Sequence, residues 1–176
     1  NNYVRADELV LYHKESRFEG TGKVQSLLYN VQRKENGKAV KQPVFASSDK
    51  IAYSDNDKHL RYENKVDIRQ GTDRILSGIA DIYLDANNEV KKTIVENDVT
   101  ITQPNRRARG TWAQYTAADE IVILRGNPAN VEDFQQGNTQ GSQLTFAMRE
   151  NRVVNEGSTK EAGAGRTRTV YKVKNQ

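Results

Sequence analysis

The stretch from Ala108 to Val131, ARGTWAQYTAADEIVILRGNPANV, decides the fold. Its first part, Ala108 to Tyr115, mixes small, polar and aromatic residues. A turn follows, and Ile121 to Leu124 is a dense, mostly β-branched run that stops at Arg125, Gly126, Asn127 and Pro128. Branched and aromatic side chains suit a pleated surface, and alternation with period two sends one set inward and the other to solvent. The stretch reads as two strands joined by a turn.

The same unit recurs on either side. One copy runs through Ala46, Ile51 and Tyr53, turns, and continues through Leu60, Tyr62, Val66 and Ile68. The next carries Leu76, Gly78, Asp81, Tyr83 and Leu84, then Val90 to Ile101. A fourth starts at Gly141, Leu144 and Phe146 and reaches Gly157, and a weaker first copy covers Ala6 to Tyr12 and Phe18 to Val24. Tyr53, Tyr83 and Tyr115 fall 30 and 32 residues apart. Turn residues punctuate the copies at Glu35–Gly37, Ser54–Asp57, Asp85–Asn88, Gln136–Asn138 and Asn155–Gly157. Many short strands between frequent turns predict an all-β protein, and repeats of this length predict a stack in which each unit buries its apolar face on its neighbours. Helical patterning is confined to one expected short segment near Val4–Tyr12. The polar stretch Gln32–Gln42 is expected to form a long hairpin connection. Ser158 to Thr169 reads as a polar tail, with a possible last strand at Val170–Val173, so the domain is expected to span 1–157 and the tail 158–176.

Composition agrees. With 176 residues the chain is one domain long, and its hydrophobic content of 35% lies below the usual 45–50% apolar share. That supply fills a thin sandwich or an opened jelly roll better than a compact α/β enzyme. Eight tyrosines and four phenylalanines oppose wholesale disorder. Lys plus Arg number 27 against 23 Asp plus Glu, and the surplus of +4 is interspersed, without the dense stripe or reading motif of a nucleic-acid binder. Cysteine is absent, which removes disulfides and thiolates but fixes no compartment. The chain begins at Asn1 with no methionine or apolar leader, as expected of a chain whose signal peptide was removed or whose terminus was trimmed.

Little in the sequence points to covalent chemistry. His13 and His59 are the two histidines, far apart and outside any metal-ligand spacing, and both are expected at the surface. Asp55, Asn56 and Asp57 look like a calcium loop but lack its central glycine and closing glutamate; turn formation explains them. No nucleophile elbow, Walker loop or dinucleotide fingerprint is present. The chain is expected to be no enzyme, with no metal, no cofactor and no nucleotide or nucleic-acid partner.

The third copy, with Gly110, Trp112, Tyr115, Leu124, Gly126, Pro128 and Val131 followed by Gly141, Leu144 and Phe146, resembles the OstA-like repeat of the LptA family of lipopolysaccharide transport proteins. The copy with Gly78, Asp81, Tyr83, Val99 and Ile101 carries the pattern more loosely, and the resemblance covers about Ala46 to Gly157. It implies a twisted, open β-jelly-roll of stacked antiparallel strands, V-shaped in section, located in the periplasm. It further implies that lipopolysaccharide acyl chains lie in the apolar groove. End-to-end assembly would join the chain to copies of itself and to LptC-like and LptD-like proteins of the same fold, as a bridge between the two membranes. The rival expectation is a β-scaffold that joins partners by edge-strand pairing and carries no lipid.

On this reading the groove is lined by Ile51, Tyr53, Leu60, Tyr62, Val66, Ile68, Ile79, Ile82, Leu84, Ile94, Val99, Ile101, Trp112, Tyr115, Ile121, Ile123, Val131, Leu144, Phe146 and Val153. A one-residue slip would send any of them to the outer face, and ordinary core packing accounts for the same pattern. Arg74, Arg106, Arg107 and Arg109 are candidate phosphate contacts at the groove mouth. Leu9, Val10, Leu11 and Tyr12 at one end, and Leu144, Thr145 and Phe146 at the other, are candidate pairing edges.

Overall fold

The computed structural model describes residues 2–29, 32–35, 38–148, 153–155 and 168–170. The chain folds into β1 (Tyr3–Arg5), β2 (Glu8–Tyr12), β3 (Arg17–Leu28), β4 (Gln32–Glu35), β5 (Lys38–Lys41), β6 (Val44–Ser54), β7 (His59–Gln70), β8 (Asp73–Leu84), β9 (Val90–Thr102), β10 (Arg106–Thr116), β11 (Ile121–Asp133), β12 (Gly137–Ala147), β13 (Val153–Asn155) and β14 (Arg168–Val170). From β3 to β12 each long strand pairs antiparallel with the next, β4 and β5 standing aside as a separate hairpin in the expected long connection. Val4–Tyr12, expected to be helical, is instead β1 and β2, and a single 3-10 turn follows at His13–Glu15. The alternation of Val4 with Arg5 and of the polar Glu8 with an apolar run is satisfied by pairing on β3, which supplies the backbone partners a short helix would need to find internally.

Every long strand is broken near its middle by a register shift, for example between Thr21 and Val24, Glu63 and Val66, or Arg109 and Trp112. These bulges bend the sheet into a V. One arm (arm A) holds Arg17–Thr21, Lys50–Ser54, His59–Glu63, Ile79–Leu84, Val90–Glu96, Trp112–Thr116, Ile121–Arg125 and Gln143–Ala147. The other (arm B) holds the remaining halves of the same strands. The corner takes two forms. In β3, β7 and β9 two successive residues adopt left-handed backbone: Gly22 and Lys23, Asn64 and Lys65, Asn97 and Asp98. Glycine, asparagine and aspartate tolerate that region best. In β8 and β10 a small residue sits at the corner, because the chains approach closely: a side-chain carbon on Gly110 would strike the Arg125 carbonyl oxygen.

The corner sets the phase of burial. Across the left-handed pairs the inward set keeps its parity, as with Thr93, Val95, Val99 and Ile101. Across the small-residue corners it slips by one: Ser77 is followed by Ala80, and Ala108 by Ala113. On arm A the inner face is a continuous cross-strand row, Leu11, Phe18, Tyr53, Leu60, Ile82, Thr93, Tyr115, Val122, Phe146 and Val153. Arm B offers Ser26, Ala46, Ile68, Ile75, Ile101, Ala108 and Val131 in the same way. The core lies between these rows, with Val24, Val66 and Val99 near the corner.

The two ends of the stack match in plan. At the N-terminal end β1 pairs with the arm-B half of β3 and β2 with its arm-A half. At the C-terminal end β14 covers the arm-B half of β12 and β13 the arm-A half. Leu144, Thr145 and Phe146 are therefore interior to the sheet, paired with Asn155, Val154 and Val153, and are not the edge. The last strand covers Arg168–Val170, a little before the expected Val170–Val173. Apart from it, the expected tail 158–176 lies outside the described residues.

Candidate functional site

The feature that stands out is the space between the arms. Toward the N-terminal end a cleft of about 460 Å³ is bounded by Leu9, Leu11, Phe18, Tyr53, Leu60, Leu84 and Val90 from arm A, and by Tyr3, Val4 and Leu28 from arm B. Its size falls within the range of about 300–1,000 Å³ typical of small-molecule sites. Deeper along the stack the space narrows to a cavity of about 80 Å³ among Val44, Ile68, Ile75, Ile82, Val95, Ile101, Ala113, Tyr115, Val122 and Met148. That is about half the ~150 Å³ that admits one benzene. The cleft continues into exposed apolar surface, with Leu9, Val10, Leu11, Tyr3 and Tyr29 all partly open to solvent at this end. The outer side of β2 is unpaired among the described residues. Leu9, Val10, Leu11 and Tyr12 thus stand where a pairing edge was expected.

Ile51, Leu60, Tyr62, Val66, Ile68, Ile82, Val99, Ile101, Val131, Leu144 and Phe146 are buried on the inner faces, and Tyr53, Leu84, Tyr115 and Val153 pack against them. Ile79, Ile94, Trp112, Ile121 and Ile123 do not line the groove. They alternate with the buried Ala80, Val95, Ala113, Val122 and Leu124, and so point away from the interior. Arg125 stacks over the Trp112 ring at 4.5 Å, which places both on the outer face. Tyr83, the middle member of the tyrosine series, is likewise outside, its ring stacked on His59.

The four arginines do not form a cluster at the mouth. Arg74 is exposed on the outer face of arm B and shares Asp67 with Arg69, at 2.9 and 2.7 Å. Burial alone would raise the Asp67 carboxyl, but hydrogen bonds from Arg69 and Arg74 outweigh it and hold its pKa at about 2. Arg107 and Arg109 are exposed on that same outer face. Arg106 points the opposite way and is buried, 1% exposed. Its Nη2 donates to the Ala147 carbonyl at 3.0 Å, and its guanidinium lies 5.1 Å from the Phe146 ring centre. Burial pulls its pKa below the ordinary value, opposed by Asp133 and Asp73.

Two groupings were not anticipated from sequence. Ser26 on arm B and Tyr62 on arm A share a buried hydrogen bond of 2.8 Å across the groove. On the outer face His59 Nε2 lies 2.7 Å from Asp81, which also receives both hydrogen bonds of the Arg61 Nη1 group. The cross-strand pairs His59–Tyr83 and Arg61–Asp81 bring that network together, and only a correct register would have revealed it. Among the described residues no group of three or more His, Cys, Asp or Glu side chains could hold a metal ion. No helix among them is long and apolar enough to cross a membrane.

Residues 46–152 match the family described as LptA/(LptD N-terminal domain) LPS transport protein. The chain belongs to this family. Among solved structures, LptH, the LptA-homologous periplasmic component of the lipopolysaccharide transport device of Pseudomonas aeruginosa, superposes with a TM-score of 0.64 at 18% identity, over 75% of this chain and 96% of that one. At that identity the likeness is one of fold. No curated protein matches the chain by sequence. Membership of the LptA/LptD N-terminal family supports a role in lipopolysaccharide transport; the stack of antiparallel strands is what the repeats led one to expect, and its open V is what the resemblance implied.

Proposed function

We propose that this chain carries lipopolysaccharide acyl chains in the groove between its arms, in the periplasm, as one segment of a bridge built from domains of the same fold. The apolar cleft of about 460 Å³ at the N-terminal end carries this reading, because it offers ready-made apolar surface continuous with the interior. Each methylene moved from water into such a surface contributes about 0.8 kcal/mol. The lipid-contacting residues are the inner-face set from Ile51 to Phe146 named above, with Leu11 and Phe18 added at the cleft. End-to-end growth uses the short terminal strands, β1 and β2 on one copy against β13 and β14 on the next, or on an LptC-like or LptD-like partner. Translation without ring closure then extends the sheet. The chain performs no covalent chemistry in this reading, and the energy for transport comes from elsewhere.

The alternative is a scaffold that uses the same edges without holding lipid; the exposed Leu9, Val10 and Leu11 favour edge pairing in either case. Native mass spectrometry over a concentration series, with and without lipopolysaccharide, separates them. A lipid-bound mass supports the carrier. Oligomers indifferent to lipid support the scaffold, and a monomer that takes neither lipid nor partner refutes both.

A further inference from the structure

The mouth of the V is not uniformly open. At the C-terminal end of the stack the tip of arm B reaches across to the tip of arm A. The arm-B side is the turn between β9 and β10, where the Gln103 amide N–H donates to the Arg106 carbonyl at 2.9 Å. From this turn Arg106 Nη2 donates to the carbonyls of Ala147 at 3.0 Å and Met148 at 3.4 Å, and Gln103 Nε2 donates to Met148 at 2.9 Å. The receiving side is itself anchored, since the Met148 amide donates to the Glu120 carbonyl at 2.9 Å. Both donor side chains are buried, at 1% and 4% exposure, so water competes little for these bonds. A guanidinium is well suited to such a crossing, because its donors are fixed in a plane and charge-assisted bonds are the stronger kind. Beside these bonds the guanidinium lies over the Phe146 ring, 5.1 Å from its centre.

We propose that Arg106, with Gln103, is a latch across the groove mouth that holds the C-terminal part of the groove shut and so sets how far along the stack an acyl chain can lie. This rests on the carrier reading above. The volumes follow the latch: about 460 Å³ at the unlatched N-terminal end, and about 80 Å³ in the cavity that Met148 helps to line. Passage of a long acyl chain toward the C-terminal end requires the Arg106 and Gln103 bonds to part. Arg106 is thus a determinant of chain-length preference, acting on the mouth and not by touching a lipid phosphate.

The test uses Arg106→Met, which keeps an apolar stem and removes the donors. Because the chain has no cysteine, spin labels go uniquely to Ala118→Cys, at an exposed arm-A tip, and Gln135→Cys, at an exposed arm-B tip. The latch requires a narrow inter-label distance distribution in the parent and a longer, broader one in the variant. Binding of a short-chain and a long-chain fluorescent fatty acid is measured alongside. Two further methylenes admitted past the latch are worth about tenfold in affinity, so the variant's long-to-short preference should rise by about that factor. A distance distribution that does not change, or an unchanged chain-length preference in a variant that binds both acids, overturns the proposal. If Arg106→Met does not fold, with Asp73 and Asp133 left without its charge, Gln103→Met removes one bond of the same latch and leaves the charges alone; an unaltered distribution there is equally decisive. A widened mouth with no fatty acid bound by either protein would sustain the latch and sink the carrier.

Discussion

Removing the Tyr62 hydroxyl tests whether the two arms are tied through the groove. Tyr62 and Ser26 are 0% and 1% exposed, their oxygens are 2.8 Å apart, and they belong to opposite arms of strands β7 and β3. Tyr62→Phe leaves the Ser26 hydroxyl in a dry environment, at a cost of about 1–2 kcal/mol, and Ser26→Ala strands the Tyr62 hydroxyl at a similar cost. The double variant removes both polar groups and should cost clearly less than the sum, giving a coupling of about 1–2 kcal/mol. With a urea slope of about 2–3 kcal/mol/M, each single variant lowers the midpoint by about 0.5 M. Urea titrations followed by circular dichroism and by the fluorescence of Trp112, the one tryptophan, supply two probes whose coincidence checks the two-state assumption. Costs that add to within about 0.3–0.5 kcal/mol would refute an inter-arm bond.

Adjacent residues on β11 report the register: Leu124→Ala should cost about 2–5 kcal/mol, whereas Ile123→Lys should cost less than about 1, both read from thermal melts. A reversal would put Ile123 on the inner face. The Asp67 carboxyl, held at about 2 in the folded chain, titrates near 3.9 when unfolded, so its contribution is present above about pH 4 and lost as pH falls toward 2. The partner arginines are about half exposed, and screening reduces that contribution to about 1 kcal/mol. Asp67→Asn should flatten the fall in stability over that acid interval, and an unchanged slope would show that the pair contributes nothing.

The strands and turns could be read from the sequence because the turn residues are local: Asp85 to Asn88 forms a turn closed by hydrogen bonds among its own residues. The stacking could be read too, since no single unit has a closed core. The faces could not be read throughout. Ile121, Val122, Ile123 and Leu124 are all apolar, so alternation gives no choice between Ile123 and Leu124. The choice is made at the corners, where a bulge shifts the inward set by one without a hydrophobic mark. Ile79, Trp112 and Ile121 were misplaced for the same reason, whereas Ile94 lies on β9, whose corner keeps the phase, and was misplaced because it adjoins the equally apolar Val95 while its inward neighbour Thr93 is polar. Arg106 was hidden differently. Three arginines within four residues look like a solvent-facing basic cluster, and only the register of β10 turns one of them inward, beneath the carbonyls that close β12. The edges were half legible: a last strand was expected near Val170 and the fourth copy ran on through Val153, but the bounds Val153–Asn155 and Arg168–Val170 are set by pairing with β12, which the flanking polar sequence does not mark.

The claim that acyl chains lie between the arms is tested most directly by placing a photo-crosslinking amino acid at Phe18, on the wall of the N-terminal cleft, and separately at Ile123, on the outer face. Irradiation with labelled lipopolysaccharide should give a lipid adduct at Phe18 and none above background at Ile123. Adducts at Ile123 alone, or equal labelling at both positions, would contradict a lipid-carrying groove.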